Sequence, residues 1–133
     1  MKLVKKDIIV NYINVGGIFS IHEDTLFKIG KPLEEFICDK NSSLLKYFEY
    51  CLFNNEKPVI DNSSTVPNVQ LNLSVGEKEL HIIRLPGYVR ENADGTKTLI
   101  KELLSYKYGD IDCPKISDKK FESFIFNELG LSK

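Results

Sequence analysis

The side chains best suited to chemistry are two histidines and three cysteines, and all of them stand apart in the sequence. They are His22, His81, Cys38, Cys51 and Cys113. Metal sites draw several such ligands from short spacings such as Cys-x-x-Cys, and no such pair occurs here. We therefore expect no metal site in this protein.

A cysteine nucleophile would need a thiol and an imidazole within hydrogen-bond reach of each other. The chain offers two combinations, Cys113 with His81 and Cys38 with His22, and only the folded chain decides whether either pair meets. No neighbouring residue favours a reactive thiolate, so we interpret the cysteines as packed thiols and the histidines as partly buried side chains. The sequence thus predicts a protein that is not an enzyme.

Two glycine-containing segments lack the residues that phosphate-binding loops need. Gly16-Gly17 has no third glycine at the spacing of a dinucleotide loop, and Gly30-Lys31-Pro32 places proline where a P-loop requires a hydroxyl. The odd cysteine number and the lack of a secretory-signal pattern predict reduced thiols and a cytoplasmic location.

Composition predicts one ordinary globular domain spanning residues 1–133. Hydrophobic residues make up 42% and charged residues 28% of the chain, unlike the composition of disordered proteins. Its 18 basic and 19 acidic residues give a net charge of -1, so no general field attracts nucleic acid or anionic lipid. No apolar run is long enough for a membrane span. We therefore expect a protein or small-molecule partner, with no nucleic acid and no membrane.

Local patterns in the first half predict a hairpin followed by short helices. Residues 7–21 are rich in β-branched and aromatic side chains broken at Gly16-Gly17, which predicts a two-stranded hairpin. Ser20-Ile21-His22-Glu23 has capping-box spacing, and with Leu26, Phe27 and Ile29 following and Gly30 as a stop it predicts one or two helical turns. Pro32 suits the first position of the next helix. Its inward-facing residues would be Leu33, Phe36 and Ile37.

The strongest helix prediction covers residues 44–53. Leu45, Phe48 and Leu52 share one face of this segment and should be buried. Its N-cap would be Asn41, Ser42 or Ser43, and Asn54 or Asn55 could end it in the left-handed conformation. Aromatic residues surround most of the helix, so we expect some of them to contact a partner surface. These residues are Tyr47, Phe48, Tyr50 and Phe53.

The second half predicts an antiparallel meander and a terminal helix. Hydrophobic residues alternate from Val69 to Val75, residues 80–88 return as a second strand, and Asp94-Gly95 is a favoured hairpin turn. A third strand would begin at Thr96. Residues 98–108 fit either strand or helix, and we expect a short strand that passes into a helix ending at Gly109. The terminal helix would have a cap at Ser117 or Asp118, a buried stripe and a C′ glycine. The stripe and the glycine are Phe121, Phe124, Ile125, Leu129 and Gly130.

These elements predict an α+β fold, with an antiparallel sheet of about five strands and helices on one face. Their order resembles a PAS domain. Residues 29–37 look like that family's glycine-led turn into a helix, and residues 48–59 look like its long helix ending in asparagine and Lys-Pro-Val. Residues 76–80 and 90–95 resemble its last two hairpins. The resemblance covers a core of about residues 8–100, followed by a helical extension at 117–130.

The resemblance implies a non-enzymatic domain that senses a small ligand between sheet and helices or mediates dimerisation. No cofactor is shared across that family, so the cofactor stays unassigned. The Asn-Cys-Arg motif of its flavin-binding branch is absent, and the helix at residues 44–53 has no histidine for haem. A second interpretation is a small cytosolic inhibitor or immunity protein that neutralises a partner protein. Size, few catalytic groups and surplus aromatic residues motivate it.

The sequence places function in binding, on a wall formed by the strands at residues 69–75 and 80–88. His81, Ile83 and Leu85 alternate with Leu80, Ile82 and Arg84, and one of the two faces is too apolar to stay wet. His81 is the only ionisable group there that changes charge between about pH 5 and pH 8. It is equally consistent with a simple exposed position. The candidate ligand- or partner-binding residues are Phe36, Phe48, Leu52, His81 and Ile83.

Overall fold

The protein is described by a computed structural model covering residues 7–39, 42–61 and 65–132. Strands and short helices alternate along these residues. In chain order they are β1 (Ile8–Gly16), β2 (Thr25–Pro32), α1 (Leu33–Cys38), α2 (Leu45–Phe53), β3 (Asn68–Val75), β4 (Lys78–Leu85), β5 (Tyr88–Glu91), β6 (Lys97–Ile100), β7 (Leu103–Tyr108), β8 (Ile111–Cys113) and α3 (Asp118–Leu129).

The main sheet has six strands in the order β2-β1-β3-β4-β7-β8, and every neighbouring pair is antiparallel. This confirms the α+β class with an antiparallel sheet, and the expected number of about five strands was only approximate. β5 and β6 pair with each other in a separate two-stranded sheet. The hairpin is therefore an insertion between β4 and β7, which are themselves neighbours.

The expected helix within residues 98–108 is wrong, because β7 occupies most of that segment. β7 pairs with β4 from Leu80 opposite Tyr108 to Leu85 opposite Leu103. Leu104 and Tyr108 are buried in the core, as the two-residue period of a strand requires. The local helical pattern is overridden by this long-range ladder, which pairs the backbone from Leu103 to Tyr108.

The helical turn expected at Ser20 to Glu23 is also wrong. Ile18 and Ile21 exchange backbone hydrogen bonds around a tight turn, and Ser20 has a φ of 72° there. The next element is strand β2, which pairs antiparallel with β1. The predicted hairpin around Gly16-Gly17 therefore has its second strand later, after a loop at residues 17–24.

The helix ends follow the sequence closely, except at the start of α2. Ser117 accepts a hydrogen bond from the Lys120 amide as N-cap of α3, while Gly130 and Asn54 end α3 and α2 in the left-handed conformation. Leu44 is the N-cap of α2 and provides no side-chain bond. The predicted serine cap is displaced, because Ser42 Oγ accepts from the Leu44 amide instead. The alternative cap Asn41 lies outside the described residues.

The aromatic side chains of helix α2 are buried on every side of the helix. Phe48 and Leu52 are fully buried as predicted, and Leu45 is half-buried. The expectation that some of these aromatics contact a partner stays a prediction, and within the chain α2 packs against β3, β4 and α3. The Phe36 and Phe48 rings meet edge to face at 5.2 Å. The aromatic residues concerned are all buried, namely Tyr47, Phe48, Tyr50 and Phe53.

A buried arginine joins the sheet to the helices. Arg84 is fully buried on the helix-covered face of β4, where its Nε and Nη2 donate to the Cys51 carbonyl at 3.2 and 3.1 Å. Its Nη1 donates to Glu102 at 2.9 Å and to Asp118 at 2.7 Å. The guanidinium carbon also lies 5.5 Å from the centre of the Tyr50 ring. These contacts connect α2, the β6–β7 link and the first turn of α3.

The electrostatics of Arg84 follow from these contacts. Burial by itself would lower the pKa of Arg84, but the hydrogen bonds to Asp118 and Glu102 outweigh it and the pKa is raised. The side chains of the two carboxylates are partly exposed, whereas that of the guanidinium is not. Removing the two carboxylates would therefore leave a fully desolvated cation without a counter-ion. Removing the arginine would leave only partly exposed carboxylates, which costs less free energy because water can still reach them.

Replacing Phe48 by alanine should lower the free energy of unfolding by about 3 to 5 kcal/mol, because it removes a fully buried aromatic ring from the core. Urea denaturation measures this change. The matched control is Leu99→Ala in β6, where the side chain is 70% exposed and the expected change is within about 0.5 kcal/mol. A loss below about 1 kcal/mol for Phe48→Ala would contradict its placement in the core.

The double variant Glu102→Gln, Asp118→Asn should cost about 3 kcal/mol or more, because it leaves the buried guanidinium without a counter-ion. Adding Arg84→Met to that variant removes the desolvated charge, so the triple variant should unfold at a higher urea concentration than the double variant. If the triple variant is the less stable of the two, the guanidinium stabilises the fold through the Cys51 carbonyl rather than through the carboxylates.

Candidate functional site

The face of the main sheet opposite the helices is lined by polar side chains at its centre. We call this surface the open face, because the helices pack on the other side, where Leu71 and Ile82 are fully buried. Along β3 the open face carries alternate residues from Asn68 to Ser74. On β1 and β4 the open face carries Ile9, Asn11, Tyr12, Asn14, Glu79, His81, Ile83 and Leu85.

A β-bulge in β1 puts two consecutive side chains on the open face. The register of β1 against β3 shifts between Val10 and Tyr12, so Asn11 is an extra residue in the ladder. Asn11 Nδ2 donates to Asn72 Oδ1 at 2.8 Å and to Ser74 Oγ at 2.9 Å. Tyr12 lies opposite Asn72 on the same face. Without the bulge, Asn11 and Tyr12 would point to opposite faces.

The amide orientations on the open face follow from the fixed acceptors at its edge. Asn68 Nδ2 donates to Asp24 Oδ1 at 2.7 Å and to the Val66 carbonyl at 2.9 Å, and neither oxygen can donate. Asn68 Oδ1 must then be the acceptor, and it receives bonds from Asn14 Nδ2 and Gln70 Nε2, both at 3.1 Å. This leaves Gln70 Oε1 free to accept.

The same reasoning determines the protonation of His81. Its Nε2 lies 3.1 Å from Gln70 Oε1, which only accepts, so Nε2 carries a proton. Its Nδ1 lies 3.2 Å from Tyr12 Oη and 3.4 Å from Asn72 Nδ2. Asn72 Nδ2 is a donor because it also bonds Glu79 Oε1 at 2.6 Å. His81 is therefore a neutral imidazole whose Nδ1 accepts.

The pKa of His81 is lowered by burial, which disfavours the imidazolium, while the nearby Glu79 carboxylate acts in the opposite direction. The donors around Nδ1 act in the same sense as burial, because a proton there would displace their hydrogen bonds. His81 is thus held in its neutral form by its surroundings, at the centre of the open face.

The five residues proposed from the sequence fall into two groups on opposite sides of the sheet. His81 and Ile83 lie side by side on the open face and are half-exposed. Phe36, Phe48 and Leu52 are buried on the helix side, where they belong to the hydrophobic core. The structure therefore does not bring the two groups together, because the sheet lies between them.

Sequence reasoning missed the amide network itself. Its signal was the two-residue period of Asn68, Gln70, Asn72 and Ser74, which predicts a wet strand face but not hydrogen bonds between the side chains. Asn72 is only 2% exposed although the described helices pack on the other side of the sheet. The surrounding side chains exclude water from the amide, so its polar atoms depend on protein partners.

Cys113 and His81, one of the two pairs considered for nucleophilic catalysis, lie on opposite sides of the sheet. Cys113 pairs with Tyr106 and Tyr106 with Ile82, so Cys113 is on the helix side while His81 is on the open face. Cys51 is fully buried, and burial raises its pKa to about 12. Among the described residues, no group of three or more metal-ligating side chains occurs.

A second exposed surface lies at the loop end of the molecule. The Phe19 amide donates to the Val59 carbonyl at 2.8 Å, and the side chains of both residues are largely exposed. They line a groove with Ile18, Ser20 and Tyr47. The charged groups at its rim are exposed and of mixed sign, so the groove selects no particular class of ligand. These groups are Lys46, Glu56 and Lys57.

The comparisons with known proteins identify no family, since no family model, curated protein or solved structure matches this chain. Across residues 7–39, 42–61 and 65–132, none of the helices has the length and apolar character needed to cross a membrane.

The lowered pKa of His81 predicts that the folded state loses stability in mild acid. The unfolded chain takes up this proton near the ordinary value of 6.5, whereas the folded chain does so only at lower pH. The stabilisation is therefore complete above 6.5 and falls as the pH decreases through the folded pKa. Urea denaturation of wild type and His81→Gln should show this component only in wild type. An identical pH dependence in both would assign it to other groups.

Proposed function

We propose that this domain is a non-enzymatic binding domain that docks a protein partner on its open face. One observation carries the proposal, namely the hydrogen-bonded amide network that crosses β1, β3 and β4. Because each amide is already held by its neighbours, little side-chain entropy remains to be lost when a partner covers the face. Such a surface is preorganised for recognition.

The rim of the open face supplies the apolar contact that docking requires. Ile9 and Leu26 are 41% and 49% exposed, and Ile83 is half-exposed beside His81. An apolar rim around satisfied polar groups allows a partner to exclude water without leaving a buried donor or acceptor unpaired. The face thus combines hydrophobic area with fixed polar groups.

A protein is favoured over a small ligand by the form of the surface. Small-molecule sites are usually concave and enclose most of the ligand, whereas the open face is one side of a sheet. The PAS-like sensing function would use the space between sheet and helices, where Phe48, Leu52, Leu71 and Ile82 are all fully buried. Protein docking is compatible both with an inhibitor or immunity protein and with a PAS-like dimerisation domain.

The test is affinity capture from the source lysate with wild type and with Ile83→Glu, which places a charge on the open face. The matched control is Val59→Glu, an exposed aliphatic position on the loop-end groove. We expect at least a tenfold loss of captured partner for Ile83→Glu only, equivalent to about 1.4 kcal/mol of binding free energy. Thermal denaturation of each variant verifies that it remains folded.

The partner's position can then be measured directly. On addition of the captured protein, the methyl resonances of Ile9 and Ile83 should shift, while that of the fully buried Ile82 changes least. Capture that survives Ile83→Glu but is lost with Val59→Glu would place the docking surface on the loop-end groove instead. Size-exclusion chromatography of the free protein distinguishes a homodimer from a complex with a different protein.

A further inference from the structure

The ring of His81 stands at the junction of two hydrogen-bonded chains on the open face. One chain runs through Gln70 to Asn68 and Asp24, and the other runs through Asn72 to Asn11 and Glu79. We propose that His81 makes the open face pH-sensitive, because a proton on its Nδ1 reverses the hydrogen bond with Tyr12, opposes the Asn72 donor and so reorganises the network. This regulatory role rests on the proposed docking function of the same face.

Among the residues that the structure describes, none fixes an acceptor in place for a proton on Nδ1. Asn72 presents its NH₂ group to this nitrogen at 3.4 Å, so protonation would set two donors against each other. Asn72 cannot turn over without further loss, because Glu79 Oε1 accepts from its Nδ2 and Asn11 donates to its Oδ1. A flip would point its oxygen at the carboxylate and its NH₂ at a donor. The disturbance therefore spreads to both neighbours.

Tyr12 is the second group that must respond. Its hydroxyl lies 3.2 Å from Nδ1 and is the donor when the imidazole is neutral. To accept from a protonated Nδ1, the hydroxyl would have to rotate so that its own hydrogen points away from Nδ1. Because Tyr12 lies opposite Asn72 across the β1–β3 ladder, both changes occur at the centre of the open face.

The charged groups that face His81 do not supply a strong counter-ion. On β4 itself, Glu79 favours the imidazolium but is engaged with Asn72. On β7, Lys107 lies directly opposite His81 and opposes a second positive charge. On β2, Lys28 lies opposite Tyr12, and β3 contributes only amides at this point. A protonated His81 would thus lie near the positions of Lys107 and Lys28, and the nearby carboxylate of Glu79 is already hydrogen-bonded to Asn72.

The consequence for binding follows from mass action. A partner that fits the neutral network binds only the unprotonated fraction of the domain. Once the pH is below the pKa of His81, that fraction falls about tenfold per pH unit, and the apparent affinity falls with it. The open face would therefore hold its partner near neutral pH and release it in mild acid.

The first experiment uses the free protein and needs no partner. Proton–nitrogen correlation spectra of the imidazoles should show His81 with its proton on Nε2 near neutral pH, and titration between about pH 8 and pH 5 should move it. The side-chain amide resonances of Asn72 and Gln70 should shift with the same midpoint. His22→Gln is the matched control, because it removes the other histidine of the chain, which lies in the β1–β2 loop.

Two results of this titration would overturn the proposal. One is a neutral His81 that carries its proton on Nδ1. The other is a titrating His81 that leaves the Asn72 amide unmoved, because the network would then not respond to the charge. Retention of the amide shifts in His22→Gln and their disappearance in His81→Gln would support it.

The second experiment repeats the lysate capture at about pH 7.5 and at about one pH unit below the His81 midpoint found in the first experiment. At the lower pH only about one tenth of the domain is unprotonated at His81, so wild type should lose about tenfold more partner on acidification than His81→Gln, whatever the affinity of that variant at the higher pH. Equal losses in the two proteins would overturn the switch and leave the docking face standing. Loss of capture that is independent of Ile83 would overturn the docking face, while the titration above would still decide the switch.

Discussion

The buried guanidinium of Arg84 is the constraint on which the rest of the structure depends. A charge without solvent contact costs several kcal/mol unless all its donors are satisfied, and these donors meet groups 18 to 34 residues away in sequence. The carbonyl of Cys51, the carboxylate of Glu102 and that of Asp118 must therefore arrive together. Helix α2, the β6–β7 link and helix α3 are packed as one unit because they share this cation.

The position of Arg84 also determines which face of β4 is free. Side chains alternate along a strand, so an arginine on the helix side sends His81, Ile83 and Leu85 to the other side. Burial agrees with this assignment, since Leu80 and Ile82 are fully buried and His81 and Ile83 are not. The same residue that joins the helices to the sheet therefore orients the open face.

The two sides of the sheet are stabilised by different physics. The helix side excludes water and is stabilised by aliphatic and aromatic packing. It also contains the buried Arg84, whose three guanidinium nitrogens all donate hydrogen bonds. The open face is held by side-chain amides whose donors and acceptors match in one orientation only, because Asp24 and Glu79 can only accept. A network of this kind is rigid while its protonation is constant. It is also sensitive to one added proton, which gives a binding surface on this face a physical route to regulation.

Much of the local structure could be predicted from sequence, because caps and turns depend on residues only a few positions apart. Ser117 and Gly130 bound α3, Asn54 ends α2, and the two-residue period of β3 already separated its apolar face from its polar face. The antiparallel α+β class followed from the same short-range patterns. These features need no knowledge of what lies elsewhere in the chain.

The tertiary structure decided which strands pair and which side chains meet. β2 and β7 had patterns that also suit helices, and only their ladders with β1 and β4 made them strands. The bulge at Asn11 and the separation of Phe36, Phe48 and Leu52 from His81 and Ile83 likewise depend on long-range packing. The sequence by itself determined several helix ends and the alternation along β3, because both depend on residues close together in the chain. Which residues form the site was decided by the tertiary structure. The hydrogen bonds of the site join residues up to 69 positions apart in the sequence, and no local preference brings such residues together.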